Sequence, residues 1–338
     1  MPSLDALPEE RRAAVRAALS AAFGTTSITN LTPIVGGVSG ASITRFEMRG
    51  RPYVLRLEPE RIALEHRQRG FVCMTSAAAI GAAPAVHYVD PAAGVSIMDF
   101  VATIPLTQYP GGVRALAHAL GALMARVRAT APFPFLGAYP DVIATLLSGL
   151  GLSGLLAPAS LDPLGQALDR IRVVLRWDRE ALVSSHNDPN PRNVLFDGVR
   201  LWLIDWELAS LNDPLVDLAI LTNELADTPE LEEALLQGSF GAEPSKAVLD
   251  RLAVIRLLVR LFYGCIVLDA FGTAPRPHLD PTLVSTTPAG FKSAVSNGRL
   301  KSGAPDTAFA FGLMSLRAFL DGASTDSFGE LLERVEKG

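Results

Sequence analysis

Residues Ser185–Ala219 read SHNDPNPRNVLFDGVRLWLIDWELASLNDPLVDLA, the most informative run in the chain. Val194, Leu195 and Phe196 have the character of a short strand, Asp197-Gly198 is a tight-turn dipeptide, and Leu201 to Ile204 return as the second strand of a hairpin. A hairpin sets the loop entering its first strand beside the loop leaving its second. Asn193 and Asp205, twelve positions apart, are therefore expected to be neighbours. An amide oxygen and a carboxylate are hard oxygen ligands of the kind Mg²⁺ takes, its other positions going to water and phosphate oxygens. Asp188, five residues before Asn193, falls on the rim of the same loop, where a carboxylate can accept the proton of an attacking hydroxyl. The combination points to phosphoryl transfer onto an alcohol.

The motifs in this run carry a family resemblance. His186-x-Asp188-x4-Asn193, then Asp205-Trp206-Glu207, then Asn212-Asp213-Pro214-x2-Asp217-Leu218-Ala219 resembles the aminoglycoside phosphotransferase and choline/ethanolamine kinase superfamily, distant relatives of protein kinases. The triplet His186-Asn187-Asp188 together with Ile204-Asp205-Trp206-Glu207 is nearest the choline/ethanolamine kinase branch. The resemblance is specific over about residues 185–219 and looser over 31–101. It implies an α+β, bilobal protein-kinase-like fold: residues 1–99 as an N-lobe with a small antiparallel sheet, and 100–338 as a mainly helical C-lobe, with ATP and Mg²⁺ between them. It further implies Asp188 as the catalytic carboxylate, Asn193 and Asp205 as the metal ligands, His186 as a brace for the loop and Asp217 as the carboxylate that fixes its backbone. Glu207 has two readings, a contributor to the metal site or a partner for a cationic substrate.

Upstream, Gly36-Gly37-Val38-Ser39-Gly40-Ala41-Ser42 lies between two strand candidates, Ile28 to Val35 and Ile43 to Met48. Gly36 and Gly37 would let backbone N–H groups approach phosphate oxygens, and Ser39 or Ser42 would add a hydroxyl. A third strand, Tyr53 to Leu57, follows a turn at Gly50. On it Arg56 holds the position where the superfamily keeps a basic residue for the nucleotide phosphates, and arginine there is common in choline kinases. The resemblance calls for a glutamate on the next helix to orient that cation. The helical run Phe71 to Ile80 has none, which leaves Glu65 as the nearest acid, with Glu58 and Glu60 as poorer candidates. By the same resemblance the strand Val95 to Val101 leads into the linker that meets the purine, which assigns the adenine contacts to Met98 through Val101, Met98 and Phe100 among them.

Composition narrows the alternatives. The chain has 338 residues, 49% hydrophobic and 19% charged, a globular balance large enough for two lobes. A net charge of −5 argues against nucleic acid as the main partner. Two distant cysteines, Cys73 and Cys265, signal neither a disulfide framework nor a zinc site and fit a reducing cytoplasm. Glu9, Glu10, Arg11 and Arg12 stand where a signal peptide would need its apolar core. Val142 to Leu161 is uncharged for twenty residues, but Gly149, Gly151, Gly154 and Pro158 interrupt it, so a buried helix followed by a loop is expected rather than a membrane span.

The remaining helices are read from periodicity: Pro8 to Phe23, Val113 to Arg128, Leu164 to Leu175, Asp217 to Glu224, Pro244 to Phe271, Ala308 to Leu320 and Phe328 to Val335. Gly272 to Pro305, rich in Pro, Thr, Ser and Gly, reads as a long loop. Choline kinases build an aromatic box for the quaternary ammonium from C-lobe residues. The aromatics available here are Phe262, Tyr263, Phe271, Phe291, Phe309 and Phe311, and each is equally readable as core. Arg192 beside the catalytic loop either neutralises the transferring phosphoryl group or faces solvent. The acceptor that the resemblance implies is a small hydroxyl compound of cationic charge. The alternatives are an aminoglycoside or other antibiotic acceptor, or a nucleotide-binding pseudokinase module without turnover.

Overall fold

The computed structural model describes residues 4, 7–34, 40–272, 277, 279 and 286–337. They fall into two compact units, the first comprising residues 1–135, 183–217 and 224–242, the second 136–182, 218–223 and 243–338.

The first unit is built on a five-stranded antiparallel sheet in the order β1-β2-β3-β5-β4. Its strands are β1 (Thr29–Pro33), β2 (Ser42–Met48), β3 (Arg51–Leu57), β4 (Val86–Asp90) and β5 (Val95–Asp99). The two-residue period of β3 buries Tyr53, Leu55 and Leu57 on one face and turns Val54 and Arg56 to the other. Helix α1 (Glu9–Phe23) covers the apolar face, placing Val15, Ala18 and Leu19 against Phe46, Leu55, Val95 and Ile97. It stops where expected, at Gly24, whose φ of 71° is the left-handed conformation that ends a helix. Helix α2 (Leu64–Ala79) begins well before the expected Phe71.

Helix α3 (Gly112–Arg128) and helix α7 (Pro229–Phe240) cross in backbone contact. Gly121 lies on the carbonyl of Leu235 and Gly238 on that of His118, so neither position has room for a methyl group. Between them in sequence come the short strands β6 (Val183–Ser185), β7 (Val194–Phe196), β8 (Leu201–Leu203) and β9 (Ser210–Asn212). β7 and β8 form the expected hairpin, in register Val194↔Leu203, while β6 pairs with β9.

The second unit is helical: α4 (Tyr139–Leu152), α5 (Pro158–Val174), most of α6 (Val216–Glu224), α8 (Lys246–Asp269), α9 (Pro288–Ser296), α10 (Pro305–Ala323) and α11 (Asp326–Lys337). Proline explains where three of these helices begin. The uncharged run Val142 to Leu161 holds the end of α4 and a loop, as expected, and then Pro158 opens α5 ahead of the expected Leu164, in the first turn where its missing N–H costs nothing. Helix α7 was not anticipated, although Thr228 caps it by accepting from Leu231 N–H and Pro229 supplies the first turn. Within the expected loop Gly272 to Pro305, α9 is capped the same way by Thr287, which accepts from Gly290 N–H at 3.1 Å, with Pro288 following. Among the described residues no helix is long and apolar enough to cross a membrane.

Candidate active site

The sequence between β6 and β7 has two tasks, to turn the chain and to hold its polar groups still. Asn187 adopts φ 63°, a left-handed conformation unusual for a residue other than glycine. Its side chain is buried and fully engaged: Nδ2 donates to the Leu208 carbonyl at 3.0 Å and to Ser210 Oγ at 2.9 Å, and Oδ1 accepts from Asn212 at 2.8 Å. Asp217, at the start of α6, accepts from the backbone N–H groups of His186 and Asn187 at 2.8 and 2.7 Å. Burial pushes its carboxyl up to about 6, against the pull of those two donors and of Arg128.

His186 is fully buried. Its Nδ1 accepts from Asp188 N–H at 3.2 Å, so the ring proton sits on Nε2 and faces the Ile204 carbonyl at 3.0 Å. Desolvation lowers its pKa to about 4, which keeps it neutral. A neutral ring with both nitrogens committed to the backbone braces the loop.

That brace presents Asp188. Asn190 Nδ2 donates to its Oδ1 at 2.8 Å, and Asn193 Nδ2 donates to its Oδ2 at 2.8 Å and to its carbonyl at 2.9 Å. The Asn193 amide therefore turns its nitrogen to Asp188, leaving its oxygen on the other side. Ile204 N–H donates to the Asn193 carbonyl at 3.0 Å, which brings Asp205 next to Asn193 as the hairpin spacing required. Asp205 is itself left-handed, φ 68°, and its buried Oδ1 receives no hydrogen bond. The nearest cation is Arg56, with Nη1 at 3.2 Å. A buried carboxylate oxygen with no hydrogen bond, beside an amide whose nitrogen is already spent, would suit a hard divalent cation completed by water and phosphate. The residues present fit Mg²⁺ without a third acid, and no cluster of three or more His, Cys, Asp or Glu suited to a metal occurs among the described residues.

Arg56 on β3 is nearly buried, its side chain 12% exposed. The acid that orients it is Glu58, Nε to Oε1 at 2.6 Å, and not Glu65, which is exposed in the first turn of α2. Glu58 lies two residues on, so it shares the face of the strand. That parity was the available signal for it. Glu207 Oε2 stands 3.6 Å from Arg56 Nη2. Burial, then the neighbouring Asp205 carboxylate, push the Glu207 carboxyl up to about 7, against the pull of Arg56. Helix α2 offers a cation at this point instead of an acid: Arg69 donates to the Glu207 carbonyl.

Met98 lies on β5 in register with Val54, partly buried, and Phe100 follows the strand with Arg45 over its ring at 5.2 Å. Gly36, Gly37 and Ser39 lie outside the described residues. Arg192 is exposed. Asn190 is the site residue that sequence reasoning assigned no role, although an amide two residues after a carboxylate in a Pro-rich turn is well placed to hold it. Of the aromatics, Phe262 is buried between Tyr139 and Tyr263, centroids 5.2 and 5.8 Å away, and is core. Tyr263, Phe311 and Phe291 are partly buried and continue the chain of rings at 5.9 and 5.6 Å, while Phe271 and Phe309 form a separate pair at 5.1 Å.

Comparison with known proteins places the fold and the family. The chain resembles a choline/ethanolamine kinase family protein from Mesorhizobium loti, with 24% identity, a TM-score of 0.67, and coverage of 97% of this chain and 100% of that one. It also resembles the choline kinase LicA from Streptococcus pneumoniae, with 17% identity, a TM-score of 0.61, and coverage of 80% and 94%. At these identities the likeness establishes the fold, an α+β kinase-like fold. The protein LicA of Haemophilus influenzae is 44% identical over 52 residues, 15% of this chain and only 20% of the length of that relative. The profile of the phosphotransferase enzyme family matches residues 30–253, and by that match across more than half its length the chain belongs to this family.

Proposed function

We propose that the protein is an ATP-dependent small-molecule kinase that transfers the γ-phosphoryl group to a hydroxyl, with a choline- or ethanolamine-like amino alcohol as the acceptor. The observation that carries the reading is the Asp188 carboxylate, held by two amides at 2.8 Å on the loop that also carries Asn193 and abuts Asp205. In the proposed step Asp188 accepts the proton of the acceptor hydroxyl as its oxygen bonds to the γ-phosphorus. The bond from that phosphorus to the β–γ bridging oxygen breaks, and ADP leaves. Asn193 and Asp205 would hold Mg²⁺, which supplies charge neutralisation and alignment of the phosphate oxygens when bound. Arg56, fixed by Glu58, offers a guanidinium fork to the phosphates.

The acceptor class is supported by the His186-Asn187-Asp188 and Ile204-Asp205-Trp206-Glu207 motifs and by the likeness of fold to choline and ethanolamine kinase family structures. ADP release with Mg-ATP, measured against choline, ethanolamine, aminoglycosides, macrolides, sugars and thiamine, tests the reading. Turnover on choline or ethanolamine, lost in Asp188→Ala, is expected. Turnover on an antibiotic alone would overturn the acceptor class, and nucleotide binding without turnover on any alcohol would overturn the enzyme.

A further inference from the structure

Glu58 is the acid nearest Arg56, and it sits where the sheet can no longer hold it. β3 ends at Leu57, and Pro59 follows, with no N–H to continue a ladder. Glu58 N–H still donates to the Gly94 carbonyl at 2.8 Å, but its own carbonyl has no strand partner. Arg11, from α1, takes that carbonyl: Nη1 donates to Glu58 O at 3.0 Å. The other end of the same guanidinium, Nη2, donates to Ala93 O at 2.8 Å and Gly94 O at 3.2 Å, in the β4–β5 turn. Arg67 of α2 secures this turn from another side, Nη1 to Ala92 O at 3.1 Å. The packing is close enough that a Cβ at Gly94 would stand 2.8 Å from Arg67 Nη1 and 3.2 Å from Glu58 Cβ.

We infer that Arg11 is a positioning residue for nucleotide binding: it clamps the backbone of Glu58 to the β4–β5 turn, and Glu58 in turn sets the guanidinium of Arg56. The inference rests on the phosphoryl-transfer reading. Two features of the structure bear on it. Helix α2 carries no acid facing Arg56, and of the three carboxylates that do face it, Glu58 at 2.6 Å, Asp205 at 3.2 Å and Glu207 at 3.6 Å, the one in closest contact lies just beyond a strand end. And Arg11 belongs to a helix that precedes residue 30, outside the stretch that matches the family profile. A planar fork suits the task because one side chain can reach three carbonyls on two chain segments at once, which an ammonium cannot do in fixed geometry.

The test is calorimetric titration of the full chain with Mg-ATP, on wild type, Arg11→Ala, Arg11→Lys, Arg67→Ala, Glu58→Gln and the double variant Arg11→Ala/Glu58→Gln, with folding checked by circular dichroism. Arg16→Ala, an exposed position on the same helix, serves as the control and is expected to bind as wild type. Arg11→Ala is expected to weaken Mg-ATP by about tenfold. Arg11→Lys and Arg67→Ala should weaken it less. The double variant is expected to bind no worse than Glu58→Gln alone, because both changes cut one chain of contacts. In turnover, the KM for ATP is expected to rise while the KM for the acceptor stays. Wild-type affinity in Arg11→Ala, or additive losses in the double variant, would overturn the inference and leave the kinase reading intact. If Arg11→Ala does not fold, wild-type affinity in both Arg11→Lys and Arg67→Ala would overturn it equally. A wild-type chain that binds no Mg-ATP would overturn both.

Discussion

The loop and hairpin from Ser185 to Asp217 and the string of aromatic rings from Tyr139 to Phe291 are held together by different physics. In the first, nearly every polar side chain has a named backbone or side-chain partner: Asn187 with three, His186 with two, Asp217 with two N–H groups. Directional bonds of this kind fix atoms to fractions of an ångström, and removing one partner leaves a buried group unsatisfied. In the second, rings on α4, α8, α9 and α10 meet at centroid distances of 5.2 to 5.9 Å, in tilted or edge-on contact. Such contacts specify volume more than position. The first region is built to place a carboxylate, the second to fill and stiffen a helical unit.

The largest effect expected from disturbing the first region is on chemistry. Asp188→Ala should lower the turnover number by about 10³- to 10⁴-fold while Mg-ATP still binds, read by ADP release and calorimetry. A loss below tenfold would mean that the braced carboxylate is not the proton acceptor. Next in size is a stability effect. Asp217→Ala strands the two N–H groups of His186 and Asn187 and should cost about 4 kcal/mol in urea unfolding. A cost under 1 kcal/mol would show that water replaces the carboxylate and would blur the contrast between the regions.

The aromatic region responds to truncation of volume. Phe262→Ala should cost about 3 kcal/mol in the same measurement without altering the KM of any acceptor. Unchanged stability together with a weakened acceptor would move Phe262 out of the core and into a binding surface.

The smallest expected effect is a change of slope with pH, and it isolates two buried groups of the loop. His186 has its pKa lowered from 6.5 to about 4, so in that window the unfolded chain binds the extra proton and stability falls as pH falls. Asp217 has its pKa raised from 3.8 to about 6, so there the folded chain holds the extra proton and stability rises as pH falls. The two contributions oppose each other between pH 4 and 6. His186→Asn removes the first and keeps an acceptor at the Nδ1 position for Asp188 N–H. Relative to wild type it should gain about 2 kcal/mol on acidification from pH 6.5 to 4.5, measured as unfolding free energy at each pH. Parallel curves for the two proteins would show that His186 does not titrate as a buried neutral ring.

Much of this was readable before any fold was known, for reasons that differ by residue. Asn193 and Asp205 were predictable neighbours because a hairpin is a local structure whose turn, Asp197-Gly198, is written in adjacent residues. The termination of α1 at Gly24 follows from one residue's backbone freedom. Helix α9 falls in a stretch whose Pro, Thr, Ser and Gly content reads as loop, although Thr-Pro there, as at the start of α7, is equally a cap followed by a first turn. What separates the two readings is the apolar face that the following residues bury, and burial is not a local property.

The order of residues along the chain by itself determined the loop chemistry, the hairpin that gathers it, the antiparallel character of the sheet and the family to which the chain belongs. Only the tertiary structure decided which acid faces Arg56, that Asn190 holds Asp188, that Phe262 is core, and that an arginine 47 residues upstream holds the carbonyl of Glu58. The division has a physical cause. Turns, caps and strand parity are set by neighbours in sequence, whereas the partner of a buried charge is whichever group the packing of distant elements brings within hydrogen-bond reach.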